Sequence, residues 1–249
     1  GGCVNKGMVA NNAVADLCYI QLGGIIGYSN ASMAMPSRNI NEGKIRHGAN
    51  ESTDITGLPS DDYDRNVRLG GVIGMYEYAT QKTFSDQENK GEVVFDGTET
   101  VGWLNMAGIL GRMDAVTYIE SSVNSGYIHS DGVLGGTSSA EINIGGIVGR
   151  TYNSASKQTR VTSCTNSGKV AHNGTTDVLR MGGIIGQVNV STQALNNTNT
   201  GVVENAGTVT SQFRMGGGIG HVNNKWADVT GSANEGAVVH SGNSSAGVL

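Results

Sequence analysis

The chain has 249 residues, of which 37% are apolar, and this is enough material for one large domain with its own core. Its 39 glycines and 2 prolines are together about 16% of the residues, below the range of roughly 25–30% that indicates a disordered chain. The net charge of −5 and the lack of any run of Lys or Arg argue against a nucleic-acid partner. The apolar stretch 13–28 is broken by Asp16 and Gln21, so it is not a membrane span.

The first recurring element in chain order is a glycine phrase, apolar-[Gly/Ala]-Gly-x-apolar-Gly. Its six copies begin at Leu22, Leu69, Met106, Ile144, Met181 and Met215. Apolar and polar residues alternate before it, as in Leu179-Arg180-Met181, and this period of two predicts a strand with one buried face. Glycines inside such a strand indicate a bend or a close approach of another backbone.

The second recurring element is an asparagine phrase, Asn-x-Gly-x followed by Val or Ile. Its seven predicted copies begin at Asn5, Asn41, Asn89, Asn124, Asn166, Asn205 and Asn234. Asn and Gly both tolerate left-handed backbone conformations, so the phrase predicts a tight structural turn. If the units stack, equivalent Asn side chains can hydrogen-bond to one another along the stack.

Two phrases in fixed alternation, with no readable helix between them, predict an all-β chain. The fold we expect is a β-solenoid, or parallel β-helix, of about six to seven repeats of ~37 residues. Residues 1–249 form a single repeat domain whose units begin near 22, 69, 106, 144, 181 and 215. One wide coil per unit is preferred over two narrow ones. A partial unit at each end suggests a piece of a longer chain.

The two phrases together resemble the GLUG-type repeats of bacterial cell-surface and secreted proteins. "CTNSGKV" at 164–170 is especially close to that pattern, and the resemblance covers the chain from Asn5 to Val238. The third copy departs from it because Ala107 replaces the first Gly, and the first unit is longer than the others. The resemblance implies an extracellular β-solenoid with an adhesive, spacer or scaffold role.

The first full unit carries an acidic insertion within residues 46–68. Asp61, Asp62 and Asp64 are the candidate metal ligands there, because Asp62-x-Asp64-x-Asn66 imitates the start of a calcium loop. Val67 stands where an EF-hand needs Gly, so an EF-hand is excluded. A looser Ca²⁺ site and a solvated acidic loop remain as the two interpretations, and no other cofactor is expected.

A polar row precedes the glycine phrase and should point outward by alternation. Its members are Gln21, Arg68, Asn105, Asn143, Arg180 and Arg214. Arg180 and Arg214 lie in neighbouring units and could bind an anionic glycan or a protein, although outward strand positions are often simply polar. Tyrosines follow the phrase and could form a sugar-stacking surface, namely Tyr28, Tyr76, Tyr78 and Tyr152.

Three histidines, His47, His172 and His240, each lie six residues after the Asn of their unit. Their units are not adjacent, and successive coils stand about 4.8 Å apart, so we expect no shared metal. His129 is one position earlier and should face the other way.

These features predict a noncatalytic extracellular repeat segment, a stalk, adhesin or assembly scaffold, at a bacterial cell surface. Its partners would be a protein or glycan there, or copies of itself through the solenoid ends. A glycan- or host-protein-binding module that uses the 46–68 loop and the Tyr/Arg face is the alternative. A polysaccharide lyase or hydrolase is a lesser alternative, since no facing carboxylates recur on neighbouring coils.

Overall fold

The computed structural model describes residues 2–12, 19–31, 37–48, 66–78, 81–99, 102–114, 117–135, 140–152, 158–223 and 226–245. Asp61, Asp62 and Asp64 lie outside these residues. Every regular element in the described part of the chain is a short β-strand, and the strands form five parallel sheets that we name A to E. The predicted all-β solenoid is confirmed.

The sheets follow one another around each turn in the order C, D, E, A, B, and then back to C. Sheet A contains Val4–Asn5, Ile40–Asn41, Glu88–Asn89, Val123–Asn124, Thr165–Asn166, Thr198–Asn199 and Ala233–Asn234. Sheet B contains Val9–Asn11, Ile45–His47, Val93–Phe95, Ile128–Ser130, Val170–His172, Val203–Asn205 and Val238–His240. Sheet C contains Tyr19–Gly23, Asn66–Gly70, Thr98–Glu99, Trp103–Ala107, Val133–Leu134, Glu141–Gly145, Thr175–Gly182, Thr208–Gly216 and Asn243–Ser244. Sheet D contains Ile26–Ser29, Ile73–Tyr76, Leu110–Asp114, Val148–Tyr152, Ile185–Asn189 and Ile219–Val222. Sheet E contains Lys82–Ser85, Thr117–Glu120, Thr159–Thr162, Thr192–Leu195 and Ala227–Asp228.

Each repeat makes one coil, because every strand pairs in parallel with the equivalent strand one repeat later. In sheet C, Leu22 pairs with Leu69, which pairs with Met106, and the same register continues to Ile144, Met181 and Met215. Five turns therefore separate the first glycine strand from the last. Stacking lets each unit bury its apolar face against its neighbours.

The coil encloses two separate hydrophobic cores. The first lies between sheets B and C and includes Val93, Leu104 and Met106. The second lies between sheets D and E and includes Ile109 and Ile119. A narrow waist divides them, at the point where the glycine phrase faces sheet A.

An asparagine ladder fills this waist. Its members are Asn5, Asn41, Asn89, Asn124, Asn166, Asn199 and Asn234. Each Nδ2 donates to the Oδ1 of the next member at 2.7 Å. Each Nδ2 also donates to the carbonyl two residues further along its own chain, as Asn124 does to Gly126 at 3.0 Å. The second Gly of the glycine phrase leaves room for the amide, since a Cβ on Gly108 would stand 2.3 Å from Asn124.

The prediction that Asn205 belongs to this set is wrong. Asn199 occupies the ladder position opposite Asn166, and Asn205 lies in sheet B opposite His172. Both residues begin a sequence that satisfies the asparagine phrase. Asn205 accepts a hydrogen bond from the amide of Gly207 at 3.1 Å, so it does make a local turn, but at a different corner of the coil.

The left-handed residue of the turn also lies elsewhere than predicted. It stands three positions before the ladder asparagine, at Arg38, Asp86, Ser121, Ser163, Asn196 and Gly231, with φ between 49° and 68°. The glycine of the asparagine phrase instead allows the backbones of two successive coils to lie close together. A Cβ on Gly126 would lie 2.0 Å from the carbonyl oxygen of Gly91 in the preceding coil.

Candidate functional site

Sheets C and D meet at the glycine phrase, and the side chains on their outer faces form two adjacent rows that run along the stack and contact each other; we call this pair of rows the groove. Row C of this groove contains Gln21, Arg68, Asn105, Asn143, Arg180 and Arg214. Row D contains Tyr28, Met75, Arg112, Arg150, Gln187 and His221. The two rows touch, as Gln21 Nε2 lies 3.8 Å from Met75 Sδ.

Row C lies on the side of sheet C away from the core, as predicted, but its inner members are not exposed to solvent. Arg68 and Arg180 are only 3% and 7% exposed, and Asn105 is fully buried. Row D and its neighbours cover them. The sequence-based expectation of a simple solvent-facing strand face is therefore wrong for the middle of the row.

Two carboxylates make ion pairs inside the groove. Asp114 accepts two hydrogen bonds from the Arg112 guanidinium, each of 2.9 Å. Glu141 lies between two arginines, in contact with Arg180 and 3.4 Å from Arg150 Nη1. Burial alone would raise the pKa of Glu141, but the hydrogen bond and charge of Arg180 and the charge of Arg150 hold it below its ordinary value.

The groove carries a surplus of positive charge in a chain whose net charge is −5. Its two rows hold five guanidinium groups. The neighbouring carboxylates among the described residues are Asp114, Glu141 and, at the rim, Glu77. Burial, together with repulsion from Arg112, lowers the pKa of Arg68 to about 10. Burial also lowers the pKa of Arg150 to about 10, so both remain charged at neutral pH.

Several buried polar atoms of the groove have no hydrogen-bond partner. They include Nε of Arg68, Arg150 and Arg180, Nδ2 of Asn105, Oε1 of Gln187 and Nδ1 of His221. Buried polar groups are normally paired, and an unpaired one costs about 1–3 kcal/mol. A cluster of such atoms marks a place where an external ligand could gain hydrogen bonds.

Aromatic rings line the rim of the groove. Tyr19 and Tyr28 are 52% and 41% exposed, and the Arg68 guanidinium lies 4.7 Å from the centre of the Tyr19 ring. Further along, the rings of Trp103 and Tyr152 lie 6.4 Å apart. Tyr28 donates a hydrogen bond of 3.3 Å to Glu77, and burial is the first cause that raises the pKa of Tyr28.

Four of the predicted surface residues come together in this groove, namely Tyr28, Tyr152, Arg180 and Arg214. The prediction for Tyr76 is wrong. Its side chain is fully buried in the second core, edge-on to Phe84 with ring centres 4.9 Å apart. The reason is an irregular alternation in sheet D, in which Ile73 and Tyr76 both face the core.

Sequence reasoning missed Arg112, Arg150, Trp103 and Glu141. Arg112 and Arg150 directly follow the last Gly of their glycine phrases, a column that the sequence does display. The equivalent position in the other units is Tyr, Met, Gln or His, so the sequence alone does not show that it is part of a basic surface. That becomes clear only when sheet D is placed opposite row C.

The histidines occupy interior and outer positions of sheet B. His47 contacts Glu99 in the first core, and both side chains are buried. His172 is fully buried, and burial lowers its pKa to about 4. His129 faces outward and contacts Asp131 and Glu92. Among the described residues, no group of three or more His, Cys, Asp or Glu side chains is placed to hold a metal ion.

Comparison of the chain with known protein families, curated proteins and solved structures gave no match. The resemblance to GLUG-type repeats therefore stays a prediction. The described residues contain no helix with the length and apolar character needed to cross a membrane.

Proposed function

We propose that this chain is a noncatalytic, rigid repeat segment that serves as a stalk or assembly scaffold on a bacterial cell surface. The observation that carries the proposal is the asparagine ladder, which joins seven successive coils through six amide–amide hydrogen bonds of 2.7 Å. The extracellular location rests on the resemblance to GLUG-type repeats.

Rigidity follows from how completely neighbouring coils are joined. Among the described residues, parallel strands join neighbouring coils in five sheets, of which sheets A and B contain seven strands, sheet D six and sheet E five, with a register that repeats from turn to turn. Two cores and the buried ladder run through the same stack. Because these contacts join each coil to its neighbours, bending the stack would have to disrupt packed contacts between successive coils.

Rigidity is testable by pulsed electron paramagnetic resonance between two spin labels. Lys6 and Glu235 are exposed and follow the first and last ladder asparagines, so labels at K6C and E235C would be separated by six steps of sheet A. At about 4.8 Å per step, the expected backbone separation is ~29 Å, with a narrow distribution. The native cysteines are first replaced by Ser. A broad distribution in the folded protein would refute a rigid stalk.

The noncatalytic part of the proposal is tested separately. Purified protein is incubated with acidic and neutral polysaccharides, with and without Ca²⁺, and the products are analysed for new reducing ends or unsaturated sugars. Turnover above that of a heat-unfolded sample would favour the lyase or hydrolase alternative instead.

A further inference from the structure

In the C-terminal part of the groove, the positive charges outnumber the negative charges. Arg150, Arg180 and Arg214 lie on three successive turns, and Glu141 is the carboxylate that Arg150 and Arg180 share. Arg214 has no carboxylate within ion-pair distance among the described residues. Its Nη1 donates instead to Gln212 at 2.8 Å. Three guanidinium groups therefore have one carboxylate between them.

The unpaired hydrogen-bond donors of the groove also indicate a negatively charged ligand. Nε of Arg150 and Nε of Arg180 are buried and have no acceptor, while their side chains are more than nine-tenths buried. A guanidinium is a planar donor that matches a carboxylate with two parallel hydrogen bonds. The missing partner is an acceptor with negative charge.

The geometry of the groove indicates an extended, repeating ligand. Equivalent positions recur on every turn, about 4.8 Å apart, which is close to the length of one sugar ring in an extended polysaccharide. Tyr152 and Trp103 lie at the rim beside the arginines, with Arg150 over the Trp103 ring at 4.4 Å. Aromatic faces of this kind stack on the apolar faces of sugars.

We propose that this groove is a binding site for an acidic polysaccharide. Carboxylates of successive uronate sugars would pair with Arg180 and Arg214, and the sugar rings would lie against the aromatic rim. This site adds a ligand to the stalk proposed above, and the stalk does not depend on it. An acidic peptide such as polyglutamate is the competing ligand, but it has no apolar ring faces to lie against Trp103 and Tyr152.

The binding experiment uses isothermal titration calorimetry with a galacturonate hexasaccharide as the probe. A neutral galactose hexasaccharide and a hexaglutamate peptide are the comparison ligands. The expected result is binding of the uronate oligosaccharide that weakens as salt rises, because salt screens partly exposed charges. The neutral sugar should bind at least tenfold more weakly, since it offers no charge-assisted hydrogen bond.

The matched variants are R214Q in the groove and R160Q outside it. Arg160 lies in sheet E, 4.7 Å from the centre of the Tyr118 ring, and donates to Gln193, so it has a comparable outer-row setting. R214Q should weaken uronate binding about tenfold, the value of one charged hydrogen bond, and R160Q should leave it unchanged within about twofold. Arg214 is only partly buried, so its loss should not unfold the chain.

A second variant, E141Q, tests the site by a gain of affinity. It removes the carboxylate that competes with the ligand for Arg150 and Arg180, so uronate binding should strengthen about tenfold. Circular dichroism spectra are compared with that of the unchanged protein to check that each variant is folded. The proposal is overturned if the folded protein does not bind the uronate, if R214Q and R160Q behave alike, if E141Q weakens binding, or if hexaglutamate binds more tightly.

Discussion

Two sets of polar side chains run along this solenoid, the asparagine ladder inside the waist and the two rows of the groove between sheets C and D. The asparagine ladder is neutral, and its amides are fully hydrogen-bonded from one coil to the next. The groove is charged, and several of its donors have no partner. The same repeating backbone thus carries a ladder whose hydrogen bonds are made and a groove in which several are not, and the two differ in hydrogen bonding rather than in burial.

The strongest way to test this comparison is to remove one amide from the middle of the ladder. N124A deletes the donor to Asn166 at 2.7 Å and the acceptor for Asn89 at 2.7 Å, and it leaves buried polar groups without partners. We expect the free energy of unfolding to fall by about 4 kcal/mol, measured by urea denaturation. N205A is the control, because Asn205 has the same local sequence but lies outside the ladder. It should cost about 1 kcal/mol, and equal losses would contradict a special role for the waist.

The interior and outer histidines should respond differently to acid. Burial lowers the pKa of His172 to about 4, below the ordinary value of 6.5, so the unfolded chain takes up the proton more readily. The stability that neutral His172 contributes is present above pH 6.5 and is lost as the pH falls towards 4, by at most about 1.4 kcal/mol per pH unit.

H172N should flatten the pH dependence of the unfolding midpoint between pH 6.5 and 4, and Asn is the residue that the next coil carries at this position. His221 in the groove is the comparison. Burial and the charges of Arg214 and Arg180 also lower its pKa to about 4, but its side chain is partly exposed, so solvent screens the effect. If the pH dependence of the unfolding midpoint changed more in H221N than in H172N, the loss of stability in acid would come from the groove histidine and not from His172.

Adding one methyl group at the waist sharpens the comparison further. A Cβ on Gly108 would lie 2.3 Å from Asn124 and 2.5 Å from the carbonyl oxygen of Gly146, so neighbouring backbone must move. G108A should destabilise the protein by about 2 kcal/mol in thermal or urea unfolding. Gly135 supplies the control, since its added Cβ would meet nothing within 4 Å. Similar costs for G108A and G135A would mean that the waist is not closely packed.

The smallest effect on stability is expected in the groove. Arg150 is buried, but Arg180 can keep Glu141 paired in its absence. R150M removes a desolvated charge and retains much of the apolar contact with Trp103, so the free energy of unfolding should change by less than about 1 kcal/mol. A loss as large as that of N124A would show that the groove row also holds the stack together.

The fold was largely predictable from the sequence because its two cues are glycine and asparagine at fixed spacing. The glycine phrase predicted the bent strand at Leu69-Gly70-Gly71, and six of the seven predicted asparagines lie in the ladder. Asn205 misled because Asn199 satisfies the same pattern six residues earlier. The left-handed position had no common residue, as Asp86 and Ser121 both occupy it, so composition could not reveal it.

The groove was only half predictable. Alternation placed Arg180 and Arg214 on the outer face of sheet C. Their burial depends on sheet D folding across them, which no local pattern encodes. The irregular alternation that turns Tyr76 inward has the same origin, since it follows from how the strand leaves the tight glycine bend.

The amides of the ladder all point the same way. From Asn5 to Asn234, each N–H is directed towards the following coil and each C=O towards the preceding one. Their dipoles therefore add, as peptide dipoles do along an α-helix, and each bond polarises the next. The ladder is therefore polar, with an acceptor at its first asparagine and a donor at its last. A further coil can join this line of amides only head to tail.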